Sequence, residues 1–384
     1  MIVLDTPVDF SPFGQGVILG LIQVGGLNIM VLSTFAAILL GRGISLRGER
    51  ALGELLDLGP HSSAYPLIRF IVLSTLAIEG AGAAILAGVY LWRGESLVAS
   101  LWQGIFHSIS AFCNAGFALH SDSLIGFREN PLVLGTIAVL IIMGGLGFVV
   151  LAGAHFRLGR ARTRVTVHTK LVIVTSVLLI VVGMVGYAAS EWQRSLAGLG
   201  VFDKWMNAFF QSVTLRTAGF NSVDFTQLHS TSVLMMIVWM FIGASPGGTG
   251  GGIKTTTAAV LLSVIPAIAS GRPRVVLFGR RIALETVYKS AAIAVISAVI
   301  ALVATLLLLA TQRPMGFEVV LFEVTSALGT VGLTVGATRG SMIWVRSSSS
   351  SSCCSAASAR SPSPCSWPGA RKARCATRRR GMVG

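Results

Sequence analysis

The sequence predicts an all-α polytopic membrane protein assembled from repeated helical modules. Three observations predict it. Apolar residues make up 53% of the chain and charged residues 12%, the mean hydropathy is +0.77, and several runs approach the ~20 apolar residues that cross a bilayer. Between those runs three segments end alike: FHSISAFCNAGF at Phe106 to Phe117, FFQSVTLRTAGF at Phe209 to Phe220, and FEVTSALGTVGL at Phe322 to Leu333. A glycine motif also recurs at a fixed offset, since Gly144 follows Gly116 by 28 residues and Gly247 follows Gly219 by 28. The repeated glycines Gly116, Gly219 and Gly332 stand 103 and 113 residues apart, too far for a soluble solenoid unit but suited to two spanning helices with something between them.

Spans are expected near 15–40, 66–91, 132–156, 170–189, 231–268 and 286–310. The N-terminus carries acidic Asp5 and Asp9 and no basic n-region, so no cleavable signal peptide is expected. Gly25-Gly26-Leu27-Asn28 reads as a further copy of the glycine motif. By the same offset its partner glycine falls upstream of Met1, and in-frame upstream DNA is expected to encode a further helix and glycine turn. The chain then divides into 1–64, the second helix of module 1 with a cytoplasmic loop; 65–167, module 2; 168–285, module 3 with a broken inner helix; 286–345, a partial module 4; and 346–384, a tail. Within that tail a serine run passes into Cys353-Cys354, which tandem leucine codons produce when read one base out of phase. Arg360, Pro362 and Pro364 would fall mid-span, so an out-of-frame tail is expected; the alternative is a disordered basic tail binding anionic lipid.

The net charge of +15 does not indicate nucleic acid. Eight of the thirty cations lie from Arg346 onward. Most of the others cluster between spans, at Arg42, Arg47 and Arg50, at Arg157 to Lys170, and at Arg272 to Lys289, rather than lining one face. The positive-inside rule makes those three loops cytoplasmic and places the repeated glycine segments toward the outside. The five cysteines offer no metal-ligand spacing and no disulfide framework.

Each module reads as an outer helix, a short re-entrant helix, a glycine turn and a second helix. Non-helical backbone at membrane depth is tolerated only when buried in protein or lining a wet cavity. Glycine lets such backbone aim successive carbonyls at one axis, where they replace the hydration shell of a cation. A glycine turn that merely closes a hairpin explains one copy better than three. Ser245 to Thr257 places Pro246 and five glycines inside an apolar span, together with Lys254. It is not a Walker A loop, because Ile253 separates Gly252 from Lys254. Two readings stand, a gate beneath the glycine turns or a structural kink, with Lys254 serving the pathway or snorkelling to the cytoplasmic edge.

SISAFCNAGF, TLRTAGFNSVD and SALGTVGLT resemble the second, third and fourth filters of the Trk/Ktr/HKT superfamily of potassium transporters, and SPGGTGGGIKTTT is similar to that family's helix-interrupting loop. Within it the bacterial KtrB/TrkH-like membrane subunit is the nearest likeness, over residues 2–340. The resemblance implies helix–pore helix–filter–helix modules around a pseudo-four-fold pore. Its filter residues would be Asn114, Ala115, Gly116 and Phe117; Thr217, Ala218, Gly219 and Phe220; and Thr330, Val331, Gly332 and Leu333. K+ would bind the backbone carbonyls of Gly116, Gly219 and Gly332, and the gate loop would be Gly247, Gly248, Thr249, Gly250, Gly251 and Gly252 with Lys254. It further implies K+ uptake across the cytoplasmic (inner) membrane, Na+ as a candidate coupling ion, a homodimer, a cytosolic nucleotide-binding regulatory subunit, and no cofactor in this chain. Cys113 stands where a second Asn is common, and Asn28 replaces the usual Gly.

Other polar residues are expected to serve structure. His107 and Gln211 should cap or pack, Glu79 should pair internally or serve transport, and Arg216 should tether pore-helix carbonyls or a carboxylate such as Asp224. No Ser/His/Asp, HExxH or paired-carboxylate arrangement supports an enzyme. Beside K+ uptake stand a Na+-permeable or H+-coupled transporter and an inactive membrane interaction protein.

Overall fold

Apolar 25- to 29-residue stretches with few helix breakers form the long helices, and the glycine motifs mark where helices stop. The computed structural model describes residues 4–27, 64–158, 166–225, 228–271, 274–311 and 316–336, all within one unit, Met1–Gly340. Asn28, the cation cluster at Arg42 to Arg50 and the tail from residue 346 lie outside the described residues.

After a short turn α1 (Thr6–Asp9), α2 spans Pro12–Gly26, capped by the Ser11 hydroxyl on the Gly14 N–H. Three stretches then repeat one order of elements. In the first, α3 (Ala64–Trp92) runs antiparallel into α4 (Leu97–Phe112), a glycine turn follows, and α5 (Pro131–Leu146) and α6 (Phe148–Leu158) return. In the second, α7 (Val167–Glu191) leads to α8 (Val201–Thr214), a glycine turn, α9 (Ser230–Phe241) and α10 (Thr255–Ala269). A hairpin of β1 (Val276–Leu277) and β2 (Arg280–Arg281) connects to α11 (Leu284–Thr311), which precedes α12 (Phe317–Leu328) and a third glycine turn.

Among the described residues, segments of α3, α7 and α11 are long and apolar enough to cross a membrane, and α4, α5, α9 and α10 are shorter apolar helices. Asn130 and Thr166 cap α5 and α7, and Ser96 caps α4, through side-chain oxygens on first-turn N–H groups. The inner helix expected at 132–156 is not continuous. Gly147 adopts φ +92°, which leaves the helical ladder, and the Phe148 N–H donates instead to the Gly247 carbonyl at 3.0 Å. The span at 231–268 is two helices separated by residues 242–254, a break that the helix breakers of Ser245 to Thr257 lead one to expect.

The buried core centres on the short helices. Phe106, Phe112, Phe210, Phe220 and Phe322 are fully enclosed, so each short helix carries at least one buried aromatic anchor.

Candidate functional site

The last turn of each short helix determines the geometry of the glycine turn beyond it. In α4 the Asn114 N–H bonds to Ala111 O at 3.1 Å and the Ala115 N–H to Ser110 O at 2.8 Å. In α12 Thr330 bonds to Ala327 O at 3.1 Å and Val331 to Ser326 O at 2.8 Å. Both are Schellman ends, which require a left-handed residue. Asn114 (φ 52°) and Thr330 (φ 55°) supply it, Thr217 (φ 70°) is left-handed in the turn after α8, and two residues after each of them Gly116, Gly219 and Gly332 are left-handed again at 71°, 80° and 84°. Alternating handedness turns successive peptide units so that carbonyls can face one side.

The structure brings the three turns together. A Cβ on Gly116 would lie 2.5 Å from Ala218 O, and one on Gly219 would strike Val331 O. Gly116, Gly219 and Gly332 line one cavity of about 430 Å³ with Asp122, Asp224 and Asn221 on its wall. The C-terminal ends of α4, α8 and α12 all lead into these turns, so three helix dipoles present partial negative charge toward the cavity.

A hydroxyl feature missed in the sequence recurs in all three turns. Ser110 donates to Phe117 O at 2.7 Å, Thr214 to Phe220 O at 2.6 Å and Ser326 to Leu333 O at 2.7 Å. The carbonyl after each glycine is thereby drawn back onto its own short helix. A hydroxyl near the end of all three repeated segments is the signal that could have revealed it.

Residues 242–254 pack against the same turns. The Thr249 hydroxyl donates to Phe112 O at 3.1 Å, the Gly251 N–H donates to the Thr330 hydroxyl at 3.1 Å, and a Cβ on Gly250 would strike the Thr217 hydroxyl. Ser245 and Thr249 N–H groups bond to Gly145 O and Gly144 O at 3.0 and 3.1 Å, so the two glycine motifs meet. Lys254 donates through Nζ to Gly250 O at 2.9 Å, closing the loop on itself. This segment lies against the side chains of Thr217 and Thr330, whereas the aspartates line the cavity beside the glycines.

The other polar residues sit around the turns. His107 is fully buried; its Nδ1 lies 2.8 Å from Gln103 O and its Nε2 accepts from the Leu119 N–H at 3.2 Å, which pins the chain leaving the first turn. His120 stacks on it at 5.1 Å, and burial pushes the His120 imidazole below its ordinary pKa, against the opposing pull of Asp122 and Glu95. Gln211 donates to Ser222 at 3.2 Å. Glu79 pairs internally, accepting from Gln23 at 3.0 Å and from Cys113 at 3.7 Å. Arg216 departs from expectation: its Nη2 donates to the Ser176 hydroxyl of α7 at 3.1 Å. The physical reason is burial, because the side chain is 6% exposed and runs into α7 rather than toward the cavity.

The sequence matches the TrkH family, described as a cation transport protein, over residues 9–356. It is 40% identical over 341 residues to the Ktr system potassium uptake protein B of Vibrio alginolyticus, covering 88% of this chain and 74% of that protein. It is 36% identical over 338 residues to the Bacillus subtilis protein of the same name (88% and 75%), and 33% identical over 341 residues to the potassium/sodium uptake protein NtpJ of Enterococcus hirae (87% and 74%). The crystal structure of the potassium transporter TrkH from Vibrio parahaemolyticus shares the fold, with a TM-score of 0.61 at 19% identity over 87% of this chain and 68% of that one. This chain is a membrane protein and belongs to the TrkH family of cation transport proteins.

Proposed function

We propose that this chain is the pore-forming subunit of a K+ uptake system of the cytoplasmic membrane. The observation that carries the proposal is the convergence of three glycine turns, each left-handed at two alternate residues, on one cavity at the ends of three short helices. A K+ ion entering from the aspartate-lined side exchanges water for backbone carbonyls at Gly116, Gly219 and Gly332, favoured by the helix dipoles. Carbonyl dipoles bind a monovalent cation weakly enough to release it, which a carboxylate cage would not. Residues 247–252 with Lys254 then form a gate on the far side of the turns, and opening requires them to leave Thr217 and Thr330. The names of the Ktr relatives support K+ as the cargo, and their description as a system supports a multi-component assembly. A homodimer with a cytosolic nucleotide-binding subunit is the form we propose.

A second reading has a specific basis in the potassium/sodium uptake named for the Enterococcus hirae relative. Na+ is then either a coupling ion or a permeant one. Uptake of radioactive rubidium, measured with and without Na+ in cells lacking their own K+ uptake, tests both. Uptake above the empty-vector level supports the transporter; none, with the protein present in the membrane, leaves only an inactive membrane interaction protein.

A further inference from the structure

At the opposite end of the molecule from the aspartate-lined cavity, α10 ends, the β1–β2 hairpin turns, and α11 begins. Between them lies a second cavity of about 540 Å³, walled by Val264, Ile268, Leu284 and Val287 and rimmed by Arg274 and Arg281. Its volume falls within the ~300–1,000 Å³ typical of ligand pockets. Among the described residues neither arginine makes an ion pair or a side-chain hydrogen bond. The neighbouring carboxylate Glu285 is held by Lys289 at 2.7 Å, so it does not neutralise them.

Two further observations place this cavity at a lipid boundary. Only 11% of the apolar window of α11 is buried, against 39% in α3 and 44% in α7, so most of the apolar length of α11 is left uncovered by the described residues. Phe278 on the hairpin and Tyr288 in the first turns of α11 are exposed, the aromatic residues expected at headgroup depth. The clustered cations of this connection put it on the cytoplasmic side.

We infer that this groove binds one anionic diacyl phospholipid of the cytoplasmic leaflet. Arg274 and Arg281 hold the headgroup phosphate through charge-assisted hydrogen bonds, for which the guanidinium fork is suited. The apolar wall of α10 and α11 takes the glycerol and the first acyl carbons, and basic pockets between spanning helices on this side of a membrane have the right charge for such headgroups. A free phosphate would leave that apolar wall unused. An acidic face of a cytosolic protein could meet the arginines but would leave the same apolar wall of Val264, Ile268, Leu284 and Val287 unused.

The test is lipid binding to the purified, delipidated full chain, read by native mass spectrometry and by the rise in Tm. Phosphatidylglycerol is expected to be retained as one molecule and to bind at least about tenfold more tightly than phosphatidylcholine. The exposed pair R274Q/R281Q should weaken phosphatidylglycerol by about fivefold per arginine removed and phosphatidylcholine, whose phosphate charge is offset by its own choline cation, by less. Val264→Trp, which fills the wall without altering charge, should weaken both. Equal binding of the two lipids, undiminished phosphatidylglycerol binding by R274Q/R281Q, or displacement by soluble glycerol phosphate at matching concentration would each overturn the inference. Should R274Q/R281Q keep its lipid but lose assembly with a cytosolic protein, the arginines belong to a protein interface instead.

Discussion

A left-handed φ admits glycine freely and charges any other residue ~1–2 kcal/mol, so the three turn glycines should not tolerate substitution equally. Gly116 and Gly219 combine that φ with a neighbouring carbonyl at the Cβ position, whereas Gly332 has no atom within 4 Å there among the described residues. Gly116→Ala and Gly219→Ala are expected to abolish rubidium uptake or erase K+ preference over Na+, with reduced amounts of folded protein. Gly332→Ala should fold and carry ions with weakened preference. Identical, undisturbed K+ and Na+ uptake in all three would remove them from the filter. The hydroxyl contacts make a finer prediction. Ser110→Ala, Thr214→Val and Ser326→Ala each free one carbonyl from a bond worth ~0.5–1.5 kcal/mol, so K+/Na+ discrimination should fall a few-fold per substitution while folding is kept. Competition of Na+ against rubidium uptake measures it.

At the scale of elements, the broken span matters more than any single helix. The 242–254 segment has its own ladder, with Gly243 N–H on Ile253 O at 2.9 Å and Ala244 N–H on Gly251 O at 3.1 Å, so it is ordered rather than merely unwound. Lys254 adds a charge-assisted bond to Gly250 O. If the segment is the proposed gate, removing that bond through Lys254→Met costs its closed arrangement ~1.5 kcal/mol or more, which corresponds to about a tenfold larger open population and a matching rise in flux. Deleting residues 247–252 should raise flux further while K+ preference persists. If both variants fold and conduct no faster than the parent, the segment is a structural kink. Flux measured in proteoliposomes separates these outcomes from changes in expression.

At the scale of the whole molecule, the carboxylates at the cavity and the arginines of the hairpin stand apart. Asp122 and Asp224 line the cavity at the glycine turns, while the hairpin at the other end carries Arg274, Arg280 and Arg281. A negative mouth concentrates cations before any dehydration occurs. Asp122→Asn should therefore raise KM for rubidium about two- to three-fold at low ionic strength, leave the maximal rate alone, and lose its effect as added salt screens the mouth. A change in maximal rate would instead place Asp122 in the structure of the turn, where it accepts from the Gly126 N–H at 3.1 Å.

The repeat, the membrane class, the positions of the three turns and the helix break at Pro246 were legible in the sequence. Hydropathy and glycine spacing are local properties, and a backbone that must leave a helix at membrane depth announces itself by glycine. Tertiary structure alone decided the partners. Arg216 meets Ser176 from 40 residues away, and Thr249 meets Phe112 O across 137. It also broke the helix at Gly147, because the segment bearing Gly247 approaches there and takes the Phe148 N–H. Such contacts depend on which surfaces the packed helices bring within 3 Å, and no periodicity along one chain encodes that distance.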